Sequence, residues 1–169
     1  MAQQYLVPAG PMQTTAAFAA RATGTTILTL LQIKPFNLCK IVEWGISFDG
    51  FAAALPGKVE LIETDVAATV TASADVDITK QGPCVADVAA ASVAGLTLGT
   101  AATGYNASAE GTITAVRNLD APIFLPPTSP FVKQFPLGRE PVIQIAKFGR
   151  IRVPFGTGVN CYPYMIVEI

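Results

Sequence analysis

The chain has 169 residues, of which 51% are hydrophobic and only 14% are charged, and its formal net charge is −1. Soluble domains carry about 25% charged residues, so this composition indicates that other subunits cover part of the surface. The small net charge excludes a general electrostatic attraction to nucleic acid or to an anionic membrane. The apolar runs are too short to cross a bilayer.

Residues 1–24 are rich in Ala, Thr and Gln. Their larger apolar residues are Tyr5, Leu6, Val7, Met12 and Phe18. Because short isolated helices are marginal in water, this segment is predicted to be an extended arm that becomes ordered on a surface. It lacks a basic region followed by a continuous apolar stretch, so synthesis in the cytoplasm is expected. The predicted organisation is an arm, residues 1–24, followed by one domain, residues 25–169.

From residue 25 onward, β-branched and aromatic runs alternate with Gly, Pro, Asn and Asp, which is typical of an all-β chain. The predicted strands are residues 26–33, 38–48, 58–64, 76–80, 111–117, 123–125, 131–135, 142–146, 149–155 and 162–169. The best helical candidate, residues 85–98, is mostly Ala and is predicted to be a loop. Eight to ten strands in one domain favour an antiparallel β-sandwich of jelly-roll-like type.

Alternation within the strands predicts which side chains face the core. In residues 38–48 the predicted core face is Leu38, Val42, Trp44, Ile46 and Phe48. In residues 149–155, Ile151, Val153 and Phe155 are predicted to face the core, so Arg150 and Arg152 point to solvent or to a neighbour. Residues 162–169 are apolar on both faces except for Glu168, which indicates a central strand or one that another subunit covers.

No catalytic, cofactor or metal site is expected. The chain has no histidine, which removes the usual general base and the commonest metal ligand. Asp75 and Asp77 share one face if they lie in a strand, but solvation in a loop is the favoured interpretation over calcium binding. Cys39, Cys84 and Cys161 are odd in number and far apart, which fits reduced, buried thiols.

Two further segments carry candidate binding residues. Arg139, Lys147, Arg150 and Arg152 form a basic group near two phenylalanines, but the acidic isoelectric point, about 5.3, favours a solvated or subunit-facing surface over nucleic-acid binding. The proline-rich stretch from Pro126 to Leu137 contains Phe131 and Phe135. It is predicted either to form an edge or docking surface or to supply core phenylalanines.

Three stretches together resemble a small virion structural protein of tailed bacteriophages. They are residues 43–50 (EWGISFDG) with Val59, Glu60 and Leu61, residues 135–140 (FPLGRE), and residues 149–153 (GRIRV) leading to the apolar end at Ile169. Proteins of this kind are often head decoration, or cement, proteins whose jelly-roll-like domains assemble as trimers on the outer capsid lattice. The chain departs from that pattern in its Ala-rich stretch, residues 85–108.

The resemblance implies a non-enzymatic cement protein that trimerises on the outer surface of the head and clamps neighbouring major capsid subunits. The expected interface residues are Tyr5, Leu6, Val7, Met12, Phe18, Phe131, Phe135, Arg139, Arg150 and Arg152. Removal of residues 1–20 is then expected to spare folding and to weaken capsid binding.

Two alternatives stay open. One is another virion component, a tail, fibre or neck protein. The other is a carbohydrate-binding jelly-roll module. Such modules use exposed Trp or Tyr clusters, whereas Trp44 lies on the predicted core face, so a glycan screen is expected to find no ligand.

Overall fold

The computed structural model describes residues 3–12, 21–49, 55–81, 95–112, 116–155 and 158–169. These residues form fourteen strands and one short 3₁₀ turn, Asp75–Asp77. The strands make two antiparallel seven-stranded sheets that pack face to face, so the predicted all-β sandwich is confirmed. No helix within the described ranges has the length and hydropathy that a bilayer crossing requires.

Sheet 1 is ordered β11-β4-β14-β1-β7, with β12 also paired to β4 and β2 to β14. Its strands are β1 (Gln4–Pro8), β2 (Arg21–Ala22), β4 (Cys39–Phe48), β7 (Thr79–Gln81), β11 (Phe131–Gln134), β12 (Val142–Ile143) and β14 (Asn160–Glu168). The long strand β14 lies between β4 and β1, which confirms a central position for the apolar end of the chain.

Sheet 2 is ordered β10-β5-β13-β3-β8-β6, with β9 also paired to β5. Its strands are β3 (Thr29–Ile33), β5 (Gly57–Thr64), β6 (Thr69–Ala72), β8 (Gly104–Ala109), β9 (Val116–Asn118), β10 (Ile123–Leu125) and β13 (Phe148–Arg152). No strand in either sheet, as far as the structure describes the chain, pairs with the strand that follows it. The sheets therefore depend on pairings between distant segments of the chain, which are slow to form during folding.

The core lies between the two sheets and is filled by alternate residues of the long strands. From β4 and β14 it takes Trp44, Ile46, Met165 and Val167, and from β5 and β13 it takes Leu61 and Ile151. All of these side chains are fully buried or nearly so. Trp44 is thus in the core, as its strand pattern predicts.

The alternation in β4 is interrupted by a β-bulge at Val42. Ile166 of β14 pairs with Glu43 and Val167 pairs with Ile41, so Val42 is the extra residue. The bulge reverses the faces on its N-terminal side. Cys39 and Ile41 are therefore buried while Leu38 is exposed. The core face predicted from residues 38–48 is right beyond the bulge and wrong for Leu38 and Val42.

The structure corrects the prediction that the N-terminal segment is an extended arm. Gln4–Pro8 forms β1, which pairs with β14 on one side and β7 on the other. The surface that orders these residues is the chain's own sheet. Val7 is completely buried and Tyr5 nearly so, and removal of residues 1–20 would expose that part of the core. Residues 13–20 lie outside the described ranges.

Other strands also differ from the sequence prediction, among them β2, which lies in the predicted arm, and β9, which is Val116–Asn118 where residues 111–117 are predicted. β6 and β8 were not predicted, because their Ala, Thr and Gly residues give weak strand signals. The predicted strand at residues 76–80 is instead the turn Asp75–Asp77 followed by β7. In that turn the Asp77 carboxylate accepts the Ala74 and Met12 N–H groups, 2.8 Å each, which holds the turn. Most of the predicted loop, residues 85–98, lies outside the described part of the chain.

The position of β1 predicts the effect of shortening Val7. We expect Val7→Ala to lower the free energy of unfolding by about 2 kcal/mol, because it leaves a cavity among fully buried side chains. The control Met12→Ala, at an exposed position, should cost less than about 0.5 kcal/mol. Urea denaturation of both variants measures the difference. Equal, small effects would show that β1 does not lie within sheet 1 in solution.

Candidate functional site

The outer face of sheet 1 carries a largely apolar patch, which we call the platform. It consists of outward-facing residues on three adjacent strands, Leu6, Pro8, Glu43, Tyr162, Tyr164 and Ile166, which line a shallow depression of about 340 Å³. The strand register explains the grouping. Ile166 lies between Glu43 and Leu6, and Tyr164 lies between Gly45 and Pro8.

Tyr164 lies flat across the sheet because its neighbour on β4 is a glycine. A Cβ atom added to Gly45 would lie 2.6 Å from Cε1 of Tyr164, so the ring occupies the space that another side chain would fill. The Tyr164 hydroxyl donates a hydrogen bond of 2.7 Å to the Glu43 carboxylate. The platform thus has an apolar floor with one carboxylate on its β4 side.

Both platform tyrosines have raised pKa values. Burial, the hydrogen bond to Glu43 and the charge of Glu43 together raise the pKa of Tyr164 from its ordinary value of 10.0 to about 12, and burial is the largest of these causes. Burial also raises the pKa of Tyr162, against the opposing effect of Arg21. Both phenols are therefore neutral near pH 7, so the platform combines neutral aromatic groups with the carboxylate of Glu43.

A second apolar surface follows one side of the sandwich, where residues 116–145 form the edge strands β9 to β12 of both sheets. We call it the apolar edge. Its exposed hydrophobic side chains are Val116, Phe124, Val132, Leu137 and Ile145. Exposed edge strands are ready to pair with another chain, and these are short and flanked by prolines.

Trp44 anchors the apolar edge to the core. Its indole Nε1 donates to the Asp120 carboxylate at 3.0 Å, and the same carboxylate forms an ion pair of 2.5 Å with Lys133 of β11. The Phe131 ring lies 5.0 Å from the Trp44 ring, centroid to centroid. These contacts fix β11 from the inside, so the edge presents its outward residues in one position.

The loop between β11 and β12, residues 135–141, projects from this edge beside the bulge in β4. Gln134 pairs with Glu43 and Val142 with Lys40, so β4 offers only Ile41 and Val42 opposite the whole loop. Phe135 donates its N–H to Val42, and Pro141 accepts the N–H of Ile41. The residues between these bonds leave the sheet as an exposed turn.

We call residues 136–139 the tip. Arg139 donates its N–H to Pro136 at 2.9 Å and the Glu140 carboxylate accepts the Gly138 N–H at 2.8 Å, so the turn is held at both ends. Gly138 has a φ of +80°, a conformation that glycine adopts without steric cost. Leu137, at the apex, is 95% exposed.

The structure corrects the predicted exposure of Arg150. The alternation places it on the outer side of sheet 2, as predicted, yet its side chain is completely buried. Its guanidinium donates to the Glu110 carboxylate, at 3.3 Å, and to the backbone carbonyls of Glu110 and Val66. Loops that follow β5 and β8 cover it. Burial lowers the pKa of Arg150, and the charge of Glu110 opposes that shift.

Glu110 also holds the start of β3. One carboxylate oxygen accepts the N–H groups of Leu28 and Thr29, 2.5 Å each, and the other accepts the Thr29 hydroxyl at 2.6 Å. Together with Arg150, this ties β8, β3 and β13 across the outside of sheet 2. Arg150 therefore has a structural position and is not available to a partner.

The other predicted interface residues are dispersed. Tyr5 and Val7 are buried, whereas Leu6 joins the platform. Met12 is exposed, and Phe18 lies outside the described residues. Phe131 and Phe135 turn inward and pack against the core, so the outward residue of β11 is Val132. Arg139 is exposed in the tip, and Arg152 is half-buried beside Glu60 at 3.3 Å.

The charged groups of the described residues mostly hold the fold. Ion pairs join Glu63 to Arg117, Glu60 to Lys58 and to Arg152, and Lys40 to Glu168. Within the described ranges there is no cluster of three or more Cys, Asp or Glu residues able to hold a metal ion. Cys39 and Cys161 are free and buried, and burial raises the pKa of both thiols to about 12. The Asp77 carboxylate is engaged by backbone N–H groups.

No family model, curated protein or solved structure matched the chain in three separate comparisons.

The buried ion pair predicts a strong effect of neutralising Glu110. We expect Glu110→Gln to lower the free energy of unfolding by about 3 kcal/mol, because the buried charge of Arg150 loses its ion-pair partner. Glu140→Gln, which changes a half-buried carboxylate next to the tip in the same way, should cost less than about 0.5 kcal/mol. Chemical denaturation at neutral pH compares the two, and similar losses would contradict the assigned role of Glu110.

The raised pKa of Tyr164 predicts a loss of stability in alkali. A phenol whose pKa is higher in the folded state stabilises that state below pH 10, and the contribution falls as the pH rises towards 12. Between these values the free energy of unfolding should therefore fall more steeply for the wild type than for Tyr164→Phe. Glu43→Gln should lower the pKa of Tyr164 only part of the way to 10, since burial is the larger cause. Ultraviolet titration of the phenols against the Tyr164→Phe spectrum measures that pKa. An unchanged pKa in Glu43→Gln would contradict the bond to Glu43.

Proposed function

We propose that the chain is a non-enzymatic virion structural protein of a tailed bacteriophage, a capsid decoration (cement) protein. In this proposal it forms a homotrimer on the outer surface of the head and clamps neighbouring major capsid subunits. The observation that carries the proposal is the presence of two exposed apolar surfaces, the platform and the apolar edge, on a rigid sandwich. Large exposed apolar patches on a soluble domain mark interaction sites.

The two surfaces match the requirements of a ring-shaped oligomer. A cyclic trimer uses heterologous contacts, in which one patch of a chain meets a different patch of its neighbour. Each stable contact buries about 800 Å² per partner. The platform spans three strands of sheet 1 and the apolar edge spans strands of both sheets, so the chain has two separate patches for such contacts.

Trimerisation also explains how weak contacts with the shell become sufficient. Three copies bind three capsid sites at once, and linked contacts multiply affinity without a single strong one. The structure shifts the expected docking residues. Tyr5 and Val7 are buried in the core, so the outward side chains of β10 and β11, Phe124 and Val132, replace them as candidates.

The absence of histidine from the sequence supports a non-enzymatic role, as does the use of the charged side chains. Glu63 accepts hydrogen bonds from Arg117 and from the Gln144 N–H, and Asp120 is shared by Trp44 and Lys133. These carboxylates are already held by partners that fix the fold.

A carbohydrate-binding module is the second candidate, and one observation favours it. Tyr162 and Tyr164 are half-exposed two residues apart on one face, with a carboxylate beside them. Sugars stack on such rings. The buried Trp44 offers no surface on which a sugar could stack, but the two tyrosines do. The expectation that a glycan screen finds no ligand therefore needs a direct test.

The proposed function predicts the results of two experiments. Native mass spectrometry of the purified chain should give the mass of three chains, and the protein should co-sediment with phage heads assembled without it. Phe124→Asp combined with Val132→Asp should reduce co-sedimentation at least about tenfold, because charges replace apolar contacts.

The loss of head binding should be specific to the apolar edge. Val76→Asp changes a residue that is 62% exposed in the turn before β7, at the opposite edge of sheet 1 from β11, and should bind heads like the wild type. A monomer that does not bind heads, together with glycan binding that Tyr164→Ala abolishes, would replace the proposal with the carbohydrate-binding module. Binding to isolated tails and not to heads would place the chain elsewhere in the virion.

A further inference from the structure

We propose that the tip of one chain docks on the platform of a second copy, with Leu137 in the apolar depression and Arg139 beside Glu43. This inference rests on the proposed trimer, for which it names the contact. It assigns the tip and the platform as partners of one another, which leaves Phe124 and the rest of the apolar edge for the shell.

The shape of the tip fits this role. Leu137 is 95% exposed, so it does not cover the platform of its own chain. Hydrogen bonds at Pro136 and Gly138 hold the turn in place, so little conformational entropy is lost when it docks. The tip is thus a rigid apolar projection, and the depression of about 340 Å³ is larger than one leucine side chain.

The charges are complementary. Arg139 is exposed at the end of the tip, and among the residues that the structure describes none forms an ion pair with it. Glu43, on the platform, is half-buried and accepts a hydrogen bond from the neutral Tyr164. A carboxylate beside an apolar depression favours a partner that brings a leucine and a cation together. Opposite charges at a contact rim fix orientation and register.

The tip and the platform are separate surfaces of the same sheet, as a contact between unlike patches requires. The tip joins β11 to β12 at one edge of sheet 1, whereas the platform is centred on β14 and β1, two to three strands from that edge. Strands are about 4.8 Å apart, so the donor and acceptor surfaces lie side by side on each chain. Such a pair lets each chain give its tip to one neighbour and receive a tip from the other.

Charge reversal tests the contact. Arg139→Glu and Glu43→Arg should each raise the trimer dissociation constant at least about tenfold, and the double variant Arg139→Glu with Glu43→Arg should recover most of that loss. Lys147→Glu makes the same charge change on a loop before β13 and should have no effect. Tyr164→Phe removes the hydrogen bond to Glu43 but keeps the charge of Glu43. This variant therefore separates the role of that charge from the role of the hydrogen bond. Size-exclusion chromatography with light scattering over a dilution series measures the constant.

The apolar half of the contact is tested in the same assay. Leu137→Asp should raise the dissociation constant at least about a hundredfold, whereas Leu55→Asp, at a leucine that is 85% exposed elsewhere, should leave it unchanged. Circular dichroism should show that both variants fold, since both side chains are in solvent within one chain.

The outcomes separate this inference from the function on which it rests. A monomeric wild-type protein would overturn the proposed trimer itself. A trimer that Leu137→Asp and the charge reversals leave intact would overturn the tip contact alone. A Leu137→Asp trimer that no longer binds heads would show that the tip meets the major capsid protein, which also overturns the contact between copies.

Discussion

The pairing of β14 between β4 and β1 is the interaction on which the rest of the structure depends. It places alternate residues of one strand on opposite sides of sheet 1. Cys161, Met165 and Val167 complete the core, while Tyr162, Tyr164 and Ile166 form the centre of the platform. A strand that is apolar on both faces is satisfied only if both faces are covered. The second sheet covers one face, and the covering of the other is the physical basis of the proposed assembly.

The bulge at Val42 connects the fold to the second surface. It corrects the alternation of β4, so that Trp44 and Ile41 are both buried despite their odd spacing. Only Ile41 and Val42 of β4 lie opposite residues 135–141, so residues 136–139 leave the sheet as the tip. Bulges often re-aim side chains. The extra residue in β4 thus decides which side chains of the strand pack in the core, and it lies beside the tip.

Much of the fold follows from sequence patterns, whereas the details of the surfaces do not. Alternation and turn residues predict the sandwich, the bounds of β10 and the central position of β14. The pattern could not reveal the bulge, because Val42 is apolar and fits either face. It could not show that loops bury Arg150, since Glu110 lies 40 residues away along the chain. The apolar residues near the N-terminus predict an arm because a strand of only five residues, Gln4–Pro8, contains no pattern that identifies the sheet it joins.

The candidate site, like the fold, is only partly predictable from the sequence. The apolarity of the last strand predicts a central or covered strand, and the proline-rich stretch predicts either an edge or core phenylalanines. The sequence does not give the strand register. That register turns Phe131 and Phe135 inward and Val132 outward. In the proposed assembly another copy covers the outer face of sheet 1. A cryo-EM map of decorated heads, at a resolution that shows side chains, would test this covering. We expect trimers in which density from another copy covers Tyr164, and a platform open to solvent on every bound copy would contradict the proposed assembly.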